Sequence, residues 1–157
     1  MNRFRARSTS TALLRSAPEQ VWDVLTDPEL LPVLTPYLQR IEVDSSNGVD
    51  RWTWHLTHIP VMSATVMPVF TEVMTFDKPT SITFAHDPAK TEERTGVEGS
   101  YHLTPVGAGT QVAIDLEIWS DLPLPRLSRI AVQTVMGGVV GVMGKRFGSN
   151  MLRHLGK

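Results

Sequence analysis

A long stretch with helical periodicity, residues 125–155, closes a chain that is otherwise patterned mostly for strands, and it carries its glycines on one side. At about 100° per residue, Gly137, Gly141, Gly144 and Gly148 fall within about 60° of one another. Glycine inside a helix costs roughly 1 kcal/mol against alanine, so a whole stripe of them needs a physical reason. Bulky residues stand around that stripe: Ile130 before it, Met151 and Leu155 after it, Met136 and Phe147 at its edge. A helix anchored at both ends but bare in the middle either admits another backbone or leaves empty volume. Laid across a curved sheet, the bare stretch is expected to border a ligand cavity.

The rest of the chain supplies such a sheet. Residues 4–15 alternate as a first strand. Ser16 and Glu19 have the spacing of a capping box, with Pro18 suited to a first helical turn, so a short helix is expected through Val21–Leu25. Asp27-Pro28 interrupts it, and a second short helix follows at about residues 29–34. From Leu38 the period shifts to two, predicting strands at 38–45, 50–58, 62–76, 81–86, 94–104 and 110–120. Asn47-Gly48 marks a hairpin turn. The loop Val106-Gly107-Ala108-Gly109 sets a register of Leu103 opposite Val112, Tyr101 opposite Ile114 and Gly99 opposite Leu116, all on one core face. The same register sets Glu98 against Glu117, an unfavourable pair.

The whole chain, residues 1–157, reads as one domain, large enough to bury a core. It has no cysteine, which removes thiol chemistry and disulfides and fits a reducing, cytoplasmic setting. The uncharged stretch Ile130 to Gly144 falls short of the roughly 18 apolar residues of a membrane span and reads as a core helix. Net charge is −1, but all 16 carboxylates lie between Glu19 and Asp121, leaving both ends basic. Two readings follow: the basic ends pair with acidic sheet faces, or they form a rim for an anionic head group or membrane surface. The Arg- and Ser-rich segment 1–18 has the composition of a transit peptide, but its alternation reads as a strand leading into a helix.

This order of elements resembles the START-like, or SRPBCC, helix-grip superfamily, which includes polyketide cyclase/dehydrase and lipid-transport branches. The segment from Ser16 to Glu29 is similar to the family's opening, Val73–Pro79 to its mid-sheet turn, and Gly99–Pro105 with Gly109–Val112 to its last hairpin. Leu122-Pro123-Leu124-Pro125 and the terminal helix follow in the matching place. The resemblance implies an α+β helix-grip fold: a seven-stranded curved antiparallel sheet, two short helices after the first strand, and a long C-terminal helix across the concave face. It does not by itself select an activity.

Candidate site residues follow from that geometry. Trp52 and Trp54 share a strand face with Leu56, and rigid aromatics suit the wall of an apolar pocket. With Phe70, Phe84, Tyr101, Ile114, Leu116, Gly137, Gly141 and Gly144 they form the expected ligand-binding set. Acid or base chemistry would fall to Glu72, His86 or Tyr101. Glu72 alternates with Phe70 and Met74, and the residues alone leave open whether that face or the one with Val69, Thr71 and Val73 points inward. No metal is expected. His55 and His58 face opposite sides of a strand, and the loop at 87–92 sets His86 near Glu93 and away from His102. No cofactor motif and no stacking array for nucleic acid is present in the sequence.

Three functions are compatible with these residues. The first is a carrier or sensor of a hydrophobic or amphipathic small molecule, such as a lipid, isoprenoid or polyketide-like compound. The second is a metal-free cyclase or dehydratase. The third is a module that contacts a membrane or a second copy, as a homodimer, through the C-terminal helix, where Val132, Val135, Val139 and Val142 project away from the glycines with Arg146 and Arg153.

Overall fold

A computed structural model of the chain describes residues 1–156 and has the expected α+β architecture. Strand β1 (Asn2–Leu14) leads into helices α1 (Pro18–Leu25) and α2 (Leu31–Leu34). Strands β2 (Leu38–Asp44) and β3 (Asp50–Leu56), a small hairpin of β4 (Ile59–Val61) and β5 (Ala64–Val66), then β6 (Val69–Asp77), β7 (Ser81–His86), β8 (Thr95–Val106) and β9 (Gly109–Leu122) follow. Helix α3 (Arg129–His154) ends the chain after a single 3-10 turn. The main sheet is antiparallel with seven strands in the order β1-β9-β8-β7-β6-β3-β2. Its register between β8 and β9 is the one set by the loop: Leu103 faces Val112, Tyr101 faces Ile114, Gly99 faces Leu116, and Glu98 does face Glu117. Arg5 approaches the Glu117 carboxylate at 3.4 Å and relieves part of that repulsion.

The basic N-terminus is used inside the fold. Arg3 makes a paired hydrogen bond to Asp121 (2.9 and 3.1 Å), and Arg7 makes another to Asp115 (3.1 and 2.8 Å). Exposed pairs of this kind contribute little stability individually; what they do is match the outer face of β1 to that of β9. The C-terminal arginines differ. Arg126 bonds Asn2 and Arg153 bonds Asn150, with no carboxylate partner for either among the described residues.

Three expectations are corrected. The strand predicted at 62–76 is broken: Met62 turns at φ 56°, Pro68 has no N–H for a ladder, and its carbonyl instead accepts the Leu56 N–H at 3.0 Å. Ser16 is not the helix cap. Ala17 occupies that position, and its N–H donates to the Gln20 side chain at 3.1 Å. Ser16 is buried, and its carbonyl accepts the Thr110 hydroxyl at 2.7 Å, tying the helix start to β9.

The third correction concerns α3. The face turned toward the sheet carries Val132, Met136, Val139, Met143, Phe147 and Met151, fully or partly buried. Val132, Val135 and Val139, expected to point outward, therefore point inward, and Val142 alone of that set is exposed. Gly137, Gly141 and Gly144 lie on an exposed flank, where an added Cβ would meet no atom within 4 Å. Burying apolar side chains yields roughly 25 cal/mol per Å². Glycines offer none of that area, so the bulky stripe decides the helix rotation. From Arg126 to His154 the chain is also long and apolar enough, by length and composition alone, to cross a membrane. Here it rests on β1, α2 and β4.

Two glycines at opposite extremes test this packing. A Cβ on Gly99 would run into the Asp115 carbonyl of the neighbouring strand, so Gly99→Ala should lose about 1–3 kcal/mol in urea unfolding. Gly144→Ala meets only open space and should gain up to roughly 1 kcal/mol. A loss at Gly144 would show that the flank is packed after all.

Candidate functional site

The concave face of the sheet is set by the ladder. Trp52 stands opposite Glu72, and Trp54 opposite Phe70; Glu72 stands opposite His86, and Met74 opposite Phe84. Alternation then places Trp52, Trp54, Phe70, Glu72, Met74, Phe84, Tyr101, Ile114 and Leu116 on one face. This settles the open question on the sixth strand: Phe70, Glu72 and Met74 face inward. Thr71 on the other face is covered by Glu93, whose carboxylate accepts both its N–H and its hydroxyl at 2.7 Å.

The aromatic members form two groups, Trp52 with Trp54 and Phe70, and Phe84 with Tyr101. Trp54 stacks on Phe70 with centroids 6.1 Å apart, Trp52 lies 6.2 Å from Trp54, and Phe84 lies 5.2 Å from Tyr101. Trp52, Phe70 and Phe84 are fully buried. Trp54, Tyr101, Ile114 and Leu116 are not: they face inward yet keep accessible surface. Across from them, Val135, Val139, Met143 and Phe147 of α3 are likewise only partly covered.

The reason is how α3 is held. Gln133 donates to the Arg5 carbonyl at 2.8 Å, and Asn150 donates to the Leu34 carbonyl at 2.9 Å. The helix is pinned to β1 and to α2. Inward-facing apolar side chains of the sheet and of α3 thus keep part of their surface uncovered.

Glu72 is the unusual residue among these inward-facing side chains. It is 3% exposed and surrounded by apolar side chains. Burial pushes its carboxyl well above the ordinary carboxylate value, and the Trp54 indole N–H opposes this only partly. That N–H lies near Glu72 without completing a hydrogen bond, and it has no other partner. Tyr101 belongs to the same cluster. Burial raises its phenol, and the nearby Glu72 raises it further, so it stays protonated. Tyr101 is enclosed by protein yet partly accessible.

His86 is not brought into this cluster, although the ladder sets it across from Glu72. Its Nε2 lies 2.9 Å from the Glu93 carboxylate, as the loop length predicts. Its ring stands edge-on to Trp119 at 5.1 Å, and the Arg3 guanidinium covers that tryptophan. No cluster of potential metal ligands occurs among the described residues. The glycines Gly137, Gly141 and Gly144 flank the helix wall and do not form it. The wall residues the sequence reading missed, Val139, Met143 and Phe147, have the 3–4 spacing of a buried helical stripe. That spacing is visible in the sequence.

A buried acid with a raised pKa gives a signed pH dependence. Below the ordinary value near 4.5, folded and unfolded chains both carry the Glu72 proton. Above it the unfolded chain releases that proton while the folded chain keeps it, so stability falls as pH rises toward the folded-state value. Glu72→Gln should remove this decline, raising the melting temperature more at pH 8 than at pH 4. An equal shift at both values would place an ionised, compensated carboxylate there.

Comparison with known proteins agrees with this fold. A family model described as polyketide cyclase/dehydrase and lipid transport matches residues 5–150. No curated protein matches the sequence. Among solved structures, TTHA0849 from Thermus thermophilus superposes with a TM-score of 0.71 at 23% identity, covering 96% of this chain and 98% of its own. The Zhui aromatase/cyclase from Streptomyces sp. R1128 gives 0.69 at 14% identity, with 95% of each chain covered. A START superfamily protein from Mycobacterium smegmatis gives 0.68 at 15% identity, covering 94% of this chain and 97% of its own. At these identities the likeness is one of fold.

Proposed function

The chain belongs to the polyketide cyclase/dehydrase and lipid-transport family, and on that premise we propose that it binds a hydrophobic or amphipathic small molecule between the sheet and α3. A lipid, isoprenoid or polyketide-like compound fits the groove, with the protein acting as carrier or sensor. One observation carries this reading: inward-facing apolar side chains on both walls, Trp54, Ile114 and Leu116 against Val139, Met143 and Phe147, remain partly uncovered. Apolar area left facing water inside a fold is area a ligand can cover, at roughly 25 cal/mol per Å².

A second reading has its own support. A carboxylic acid kept protonated near neutral pH can act as a general acid, and Glu72 beside Tyr101 has that environment. Metal-free cyclisation or dehydration of a bound polyketide would use it. Turnover abolished in Glu72→Gln with ligand binding retained would favour this reading over the carrier.

Native mass spectrometry of the purified protein should show a co-purified apolar compound. Met143→Asp places a charge on the partly exposed helix wall and should weaken binding of a fluorescent lipid probe by roughly tenfold or more, with circular dichroism checking that the variant is folded. Unaltered probe affinity would mean that ligands bind elsewhere.

A further inference from the structure

We propose that the groove selects ligands bearing an uncharged oxygen function, a carbonyl or hydroxyl, and rejects carboxylates, through a polar point formed by Trp54, Glu72 and Tyr101. This inference rests on the groove reading above and specifies which end of the ligand enters.

The polar point is unfinished in the protein alone. The Trp54 indole N–H is buried and has no hydrogen-bond partner. Buried donors are nearly always paired, so an orphan N–H beside a groove indicates a partner that arrives with the ligand. Glu72 adds a buried carboxyl beside that N–H, and Tyr101 adds a hydroxyl close enough to sense the Glu72 carboxyl. With Glu72 protonated, the three groups present three donors and one carbonyl acceptor. A ketone, ester or quinone oxygen can take the donors. A hydroxyl can do the same while donating to the Glu72 carbonyl.

The charge environment decides against anions. No arginine or lysine acts on Glu72. On the neighbouring strands β3 and β7, Arg51 pairs with Asp87, His55 with Glu42 and His86 with Glu93, and Asp50 accepts a hydrogen bond from Ser45; Tyr101, one strand further on, is neutral. The wall of α3 that faces the sheet carries no charged side chain from Val132 to Phe147 except at Lys145 and Arg146, and both of these are exposed. A carboxylate placed here would be a buried anion with no counter-charge, the arrangement proteins avoid most strongly. A plain hydrocarbon would cover the walls and leave the Trp54 N–H unpaired.

A matched ligand series tests this. Alkyl chains of equal length ending in a methyl ketone, a primary alcohol, a carboxylate or nothing would be titrated by displacement of a fluorescent lipid probe at pH 7.5. The ketone and alcohol should bind tightest, and the carboxylate weaker by roughly tenfold or more. Trp54→Phe keeps an aromatic ring and removes the N–H, and Tyr101→Phe removes only the hydroxyl. Each should lower ketone affinity roughly 3- to 10-fold, the net worth of one hydrogen bond, and leave the alkane unchanged. Equal affinity for carboxylate and ketone, or a ketone advantage that survives both substitutions, would overturn the proposal. Alkane binding without any ketone preference removes this inference and keeps the groove. Failure of every compound to displace the probe removes both. Circular dichroism of the two variants separates lost binding from lost folding, and Glu72→Gln, which preserves a donor and an acceptor, should retain the ketone preference.

Discussion

The full-length pairing of the first strand with the last is the constraint on which the rest of the structure depends. Asn2 to Leu14 of β1 matches Leu122 to Thr110 of β9 residue for residue. This brings the N-terminus to one edge of the sheet, so α1 and α2 must carry the chain across to β2 at the other edge. After β9 the chain turns at Leu122-Pro123-Leu124-Pro125 with nowhere to pair, because both neighbours of β9 are taken. Returning over the concave face is the remaining way to cover its apolar side chains. The arginine–carboxylate pairs across β1 and β9 belong to this seam. They account for the basic character of the N-terminal segment, though not for that of α3.

The seating of α3 is a consequence of the same arrangement. A straight helix over a curved sheet touches it where the curvature brings the sheet up to it. Those places are β1 near Gln133 and the α2 region near Asn150. Glu72 is buried on the same sheet face as Trp52 and Trp54. Burying an acid there works against folding, a sacrifice of the sort that binding and catalytic sites commonly make.

Much of this was legible in the sequence because it depends on local chemistry. The β8–β9 register followed from a short loop and the period-two alternation around Leu103, Tyr101, Val112 and Ile114. The approach of His86 to Glu93 followed from loop length alone. Other readings failed where local signals competed. Ser16 and Glu19 had the spacing of a capping box, but the Ser16 backbone was needed by Thr110, far away in sequence. The predicted strand at 62–76 had enough apolar residues, but Met62 and Pro68 broke its backbone path.

The sequence by itself determined most of the elements, their order and the β8–β9 register, since periodicity, turn residues and proline positions act over a few residues, and its resemblance to the helix-grip superfamily indicated the fold. Only the tertiary structure decided which faces meet. Both sides of the sixth strand carried apolar residues, so whether Glu72 pointed in or out depended on its partners Trp52 and His86 across two ladders. Helix α3 offered a glycine stripe and a valine–methionine stripe. The choice between them came from how much apolar area each could bury against β1 and α2, a quantity that exists only once the sheet has closed.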